Sequence, residues 1–318
     1  MNRNAEAITV FCSHLCVPAD VKPFEPKEWG TLATHLMELK YQPGDLLDFE
    51  RLDFLNTLSC TEDEAIRMMR LIDRSAGLGF ELEKYETMGI QVITRADAEY
   101  PKQLKKKLGN SCPPLFYTAG DLALLNRDSV GYVGSREVDQ TDIDFTMKTV
   151  SATASKGYAV VSGGAKGIDS ISATAAMNEG VALIEYISDS MLRKMRDSGL
   201  VREIRDGRVL LMSVTIPTAG FNVGIAMMRN RYIYAQSSGT VVIRSDKGKG
   251  GTWAGATENL RYAWCPTFCR DYDYPGNKEL IHLGAIPISD DWDGDVSNYH
   301  MKPNVPVRKP EQLSMLDI

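Results

Sequence analysis

The 318-residue chain contains no apolar run approaching the roughly 20 residues that a membrane-spanning helix needs, so no membrane span is expected. Its start, Met1 to Val17, is apolar only in short pieces broken by Ser13 and His14, and it lacks a small-residue cleavage site. No secretory signal is read there, and a cytoplasmic protein with reduced thiols is expected. Histidine is scarce: His14, His35, His282 and His300 are scattered. The six cysteines include two pairs, Cys12/Cys16 and Cys265/Cys269, spaced by four residues and not by the gap of a zinc knuckle. No metal site and no cofactor are expected. The catalytic signatures are missing too. There is no G-x-x-x-x-G-K-[ST], no G-x-G-x-x-G, no G-x-S-x-G and no H-E-x-x-H. No nucleophile has an adjacent base, so no catalytic residues are assigned and binding is favoured over chemistry.

What is present is ordinary globular material, 43% hydrophobic and 25% charged. The net charge of −6 is unevenly spread. The first 100 residues carry ten Lys/Arg against eighteen Asp/Glu, which leaves the rest at +2. A chain acidic overall can still gather cations on one face, so the total does not exclude nucleic acid.

Residues 1–95 read as a small acidic helical domain of the SAM-like kind. Trp29, Leu32, Leu36 and Leu39 recur at helical spacing. Thr61 with Glu64 forms a capping box ahead of Ala65 to Ile72, and Gly77 and Gly79 are expected to end that helix. From about residue 129 short apolar runs alternate with helical stretches. Strands are expected near 130–133, 158–161, 181–187, 209–212, 240–243 and 266–268. Helices are expected near 144–156, 170–178, 191–196, 225–236 and 252–263. This alternation predicts an α/β fold over residues 96–290, with an extended Rossmann-like parallel sheet covered by helices on both faces. Residues 291–318, rich in Asp and then Pro, read as a flexible tail.

Three glycine-rich or basic clusters follow predicted strands: Gly134-Ser135-Arg136, Ser162-Gly163-Gly164-Ala165-Lys166-Gly167, and Lys247 to Thr252. Ligands of such sheets bind at the carboxyl ends of strands. A glycine turn opening a helix lets backbone N–H groups approach a phosphate, and the helix terminus adds favourable partial charge. The alternative for any single cluster is a plain tight turn. The stretch 229–249 adds Arg229, Arg231, Arg244, Lys247 and Lys249 against Asp246, with Tyr232 and Tyr234 interleaved and Trp253 just beyond. Cations along a phosphate chain with aromatic faces between them suit single-stranded nucleic acid, although each aromatic taken singly reads as core.

These motifs, in this order, resemble the DNA-processing protein A (DprA/Smf) family over about residues 60–290. The likeness is carried by Val92-Ile93-Thr94, Tyr100-Pro101 with Leu104, and Pro113-Pro114-Leu115-Phe116-Tyr117. It continues through Gly120-Asp121, Val133-Gly134-Ser135-Arg136, Ser162 to Asp169, Arg229-Asn230-Arg231 and Lys249-Gly250-Gly251-Thr252. The resemblance implies a protein that binds single-stranded DNA, dimerises with its own kind and helps load the recombinase RecA in transformation, without enzymatic activity. It implies a DNA pocket of Gly134, Ser135, Arg136, Ser162, Gly163, Gly164, Lys166, Gly167, Arg229, Asn230, Arg231, Lys249, Gly250, Gly251 and Thr252. Arg136, Lys166, Arg229, Arg231 and Lys249 would hold phosphates. Asp169, an anion, is assigned a structural part, capping its helix or fixing the loop.

Several features depart from the family pattern. Ala173 stands where the family has histidine, and Ile187-Ser188-Asp189-Ser190 follows the middle strand. Phe221 and Arg229 are further apart than usual, and no winged helix is expected after the core. These suggest a divergent branch. Such branches also occur in phage-defence toxin–antitoxin modules, where the protein restrains a co-encoded toxin by contact, so an antitoxin is the second reading. A third is a nucleotide-binding or nucleoside-monophosphate-cleaving enzyme, from Gly250-Gly251-Thr252 with Glu258. At the chain end Gln312, Leu313, Met315 and Leu316 resemble peptides that dock on the polymerase sliding clamp, the alternative being an ordinary tail.

Overall fold

The computed structural model describes residues 1–299. The clamp-like residues Gln312, Leu313, Met315 and Leu316 lie outside them. The described chain forms two compact units, Met1–Ala119 with Val214–Ile216, and Gly120–Ser213 continuing from Pro217. Among the described residues no helix is long and apolar enough to cross a membrane.

The first unit carries helices α1 (Arg3–Cys12), α2 (Pro26–Glu38), α3 (Arg51–Asn56), α4 (Glu62–Asp73), α5 (Ser75–Thr87) and α6 (Lys102–Leu108). Strands β1 (Gln91–Thr94) and β2 (Leu115–Ala119) pair antiparallel, Gln91 opposite Thr118. Phe11, Phe24 and Trp29 form an aromatic cluster with centroids 5.9–6.2 Å apart. The capping box forms: Glu64 Oε2 accepts from the Thr61 N–H at 2.8 Å, and Thr61 Oγ1 from the Glu64 N–H at 3.3 Å.

Gly77 and Gly79 do not end α4. That helix stops at Arg74, and both glycines lie inside α5. The break is made by a tertiary contact. The buried Arg74 guanidinium reaches back to the carbonyls of Val10, Ser13 and Leu15 at the end of α1, with Ser13 O at 2.8 Å. Once Leu78 and Tyr85 are buried, α5 tolerates two glycines of low helix propensity.

The second unit is built on seven parallel strands: β3 (Ser129–Val133), β4 (Ala159–Ser162), β5 (Leu183–Tyr186), β6 (Val209–Ser213), β7 (Gly239–Val242), β8 (Thr267–Arg270) and β9 (Ile286–Ile288). Their order is β6-β5-β4-β3-β7-β8-β9. All but β9 are buried along their whole length, which is why their sequences are mostly apolar and not alternating, the buried charges of Glu185 and Arg270 being paired with Lys194 and Asp142. The connecting helices are α7 (Gln140–Ser155), α8 (Ile168–Glu179), α9 (Met191–Lys194), α10 (Ser198–Arg205), α11 (Val223–Gln236), α12 (Gly250–Tyr262) and α13 (Pro275–His282). α7 packs on α8, and α11 on α12. The chain runs outward from β3 through β4, β5 and β6, then returns to β7 on the other side of β3. Right-handed crossovers in opposite directions put the two helix pairs on opposite faces and leave a switch point between β3 and β7. The sheet is therefore the Rossmann-like α/β arrangement that the sequence predicts.

Residues 291–299, where a tail was expected to begin, lie against this sheet. Val296 is buried beside Gly239, and Lys156 pairs with Asp293 at 3.2 Å.

Candidate nucleic-acid interface

β4, β3 and β7 are neighbours, so the three glycine clusters leave the sheet from adjacent carboxyl ends. Hydrogen bonds join them. The Ile168 N–H donates to Ser135 O at 3.2 Å, Thr252 Oγ1 to Gly134 O at 2.9 Å, and Asn230 Nδ2 to Gly251 O at 3.0 Å. The glycines at the centre are dictated by this mutual contact. A Cβ on Gly134 would stand 2.4 Å from the Ile168 side chain. Gly167 has φ +77°, and its Cβ would stand 2.3 Å from Ser135 O. Glycine here first allows turn to press on turn.

Two helices start at this cluster, α8 after Gly167 and α12 after Lys249, and neither has a side-chain cap at its N-terminus. Their first N–H groups and positive dipole ends meet the carboxyl edge of the sheet, an arrangement suited to an anion.

The cations divide into two sets. Arg229, expected to hold a phosphate, is only 5% exposed. Its Nη2 donates to Asp169 Oδ2 at 3.2 Å, and its guanidinium lies where a Cβ on Gly163 would be. A buried arginine left without a counter-charge would be costly, and Asp169 supplies that charge. The same Asp169 oxygen accepts from the Ala165 N–H at 3.3 Å and so ties the loop. Arg231 is held by Glu258 at 2.8 Å, and Glu258, the acid of the enzyme reading, is thereby engaged. Arg244 pairs with the fully buried Asp142 at 3.1 Å, and Lys247 with Glu279 at 2.7 Å. The net +4 of residues 229–249 is thus mostly compensated from elsewhere in the fold.

Arg136, Lys166 and Lys249 form the other set. They are exposed, one on each turn, and have no carboxylate partner among the described residues. The Arg136 guanidinium lies 5.1 Å from the ring centre of Phe221, itself 48% exposed. Tyr232 and Tyr234 are buried core residues and cannot stack on a ligand, and Trp253 is half-buried. Phe221 was not among the residues singled out for the site. Its sequence signal is an aromatic in a polar loop just ahead of α11. Lys194 was also missed. It reaches Glu185 at the end of β5 at 2.7 Å, and its Nζ lies 2.6 Å from where a Cβ on Gly164 would be.

A parallel Rossmann-like sheet with linked glycine turns at its switch point places the chain in the class of doubly wound α/β proteins. Within it, the chain belongs to the DNA recombination-mediator protein A family, whose sequence model matches residues 91–293. It is 26% identical over 171 residues to the DNA processing protein DprA of Bacillus subtilis, a match covering 53% of this chain and 57% of that protein. The aligned region therefore spans less than two thirds of that relative. The crystal structure of DprA from Streptococcus pneumoniae superposes with a TM-score of 0.61 at 19% identity, over 83% of this chain and 95% of that one. DNA processing protein A from Helicobacter pylori, described for its single-stranded DNA binding mode, gives 0.51 at 23% identity, over 63% and 90%. At these identities both structures speak to the fold.

Proposed function

We propose that the chain binds single-stranded DNA by its phosphate backbone across the three turns, with a recombinase as the protein it serves. The observation that carries this reading is the set of three unpaired cations, Arg136, Lys166 and Lys249, one on each of three hydrogen-bonded turns at adjacent strand ends. Each supplies a charge-assisted contact to a phosphate oxygen, and the positive dipole ends of α8 and α12, neither with a side-chain cap, favour an anion beside them. Phe221 offers a ring face beside Arg136 on which an unpaired base can stack, which a duplex does not present. Membership of a recombination-mediator family and the likeness to a single-strand-binding relative support the same reading. The recombinase follows from the family's description alone.

The test is fluorescence anisotropy with a labelled oligothymidylate. Arg136→Ala, Lys166→Ala and Lys249→Ala are each expected to weaken binding about three- to tenfold. Arg231→Ala, which removes a cation already paired with Glu258, is expected to change it less than twofold. Equal losses in all four variants, or none in the first three, would refute the assignment.

A further inference from the structure

At the other end of the seven-stranded sheet a cavity of about 420 Å3 opens at the amino ends of β3, β4, β7 and β8. Its walls include Trp264, Tyr158 and Tyr299, and its polar groups include Asp128, Ser238 and Ser297. The geometry points to a binding pocket for an organic cation, an alkylammonium or guanidinium group, held between aromatic faces and the Asp128 carboxylate.

Three observations support this. First, the walls are fixed in advance. Ala263 ends α12 in the left-handed region at φ +54°, a conformation normally left to glycine, and this turns the chain so that Trp264 stacks on Tyr262 at 5.4 Å. Such a conformation at a helix end, in a residue with a Cβ, persists where the surroundings hold it. The holder is Asn259, fully buried. Its Nδ2 donates to Cys265 O and Thr267 Oγ1 at 2.7 Å, and its Oδ1 accepts from the Cys265 N–H at 3.2 Å.

Second, the facing wall is equally set. Asp295 Oδ1 accepts from the Ser297 N–H at 2.8 Å, and Tyr299 meets the Phe268 ring edge-on at 5.0 Å.

Third, the cavity presents a carboxylate that can accept from a cation. Asp128 accepts from Ser238 Oγ at 3.3 Å and has no cationic partner among the described residues. The Tyr158 phenol is pushed up, first by burial and then by the charges of Asp295 and Asp128. Lys156, two residues before Tyr158, is taken by Asp293, and Arg261 lies over the ring of Tyr262, which stacks on Trp264. Aromatic faces beside an unpaired carboxylate favour a positive charge with an apolar stem. They disfavour a phosphate, so the pocket serves a ligand other than the one proposed for the turns.

Two sources share this chemistry, a free polyamine and a basic side chain of a polypeptide. The experiment is titration of the full chain, followed by tryptophan fluorescence and calorimetry, with spermidine in one arm and capped lysine and arginine peptides in the other. Saturable one-to-one binding in either arm, weakened about fivefold or more by Asp128→Asn and by Trp264→Ala, is the expected result. The arm that binds names the source. Asp128 is exposed and outside every strand, so Asp128→Asn keeps the test decisive should Trp264→Ala fail to fold. No saturation in either arm, or unchanged affinity in Asp128→Asn, overturns the proposal. Arg136→Ala serves as control and is expected to leave both arms unchanged.

Discussion

Arg229 and Asp169 face each other across sixty residues of sequence and are both nearly buried. Neither is free to meet a ligand, yet both shape the surface that does. The arginine backs Gly163, and the aspartate anchors the Ala165 amide. Asp169→Asn would leave a buried guanidinium uncompensated. Urea unfolding is expected to show a loss of about 3–5 kcal/mol. A loss below about 1 kcal/mol would mean that the pair is not an internal support. Arg229 was legible as a residue of the site but not as a buried one, because composition around a motif does not reveal which acid the fold brings to it. The same limit explains why Arg231, Arg244 and Lys247 read as free cations. Their partners, Glu258, Asp142 and Glu279, lie on other helices.

Helices and strands follow local rules where burial and caps agree with them, and depart where a distant contact intervenes. The six strands of the second unit expected from sequence stand within two residues or so of their expected limits, because full burial leaves mostly apolar runs. β9, three residues with Pro287 at its centre, and the half-exposed β1 carry no comparable signal, whereas β2 (Leu115–Ala119) is a fully buried apolar run that the expected strands omit. α5 shows the opposite case, two glycines inside a helix. Both point into open space, with nothing within 4 Å of a Cβ. Gly77→Ala and Gly79→Ala should therefore each stabilise the protein by about 0.5–1 kcal/mol, read as a rise in thermal midpoint. Destabilisation by either would mean that the surface there is not open.

The capping box at α4 makes a pH-dependent prediction. Hydrogen bonds from the Thr61 backbone and hydroxyl hold Glu64 below its ordinary pKa. A carboxylate depressed in the folded state contributes stability above its unfolded pKa, about 4.3, and loses it as pH falls through the folded value. Thr61→Ala should cost about 1 kcal/mol at pH 7 and progressively less below about pH 4. A cost independent of pH would contradict the bond from the Thr61 hydroxyl to the Glu64 carboxylate.

At the scale of the whole molecule the charge is sorted, not balanced. The first 100 residues carry the acidic excess, and the three unpaired cations of the turns sit in the second unit. The strand order explains why separate motifs become one surface. A chain that starts at the centre of the sheet and leaves in both directions brings the ends of β4, β3 and β7 side by side. That convergence could be anticipated from alternating strands and helices with turns between them. The glycine-to-side-chain packing that fixes the turns, and the cavity at the opposite end, could not, because both depend on residues far apart in sequence.

The central claim, that three turn cations each meet a phosphate, is tested most directly by the salt dependence of single-strand binding. With about three phosphates neutralised, log affinity against log salt should fall with a slope near −2. The triple variant Arg136→Ala, Lys166→Ala, Lys249→Ala should flatten that slope to near zero. A triple variant that keeps the parent slope would place the DNA somewhere else on the protein.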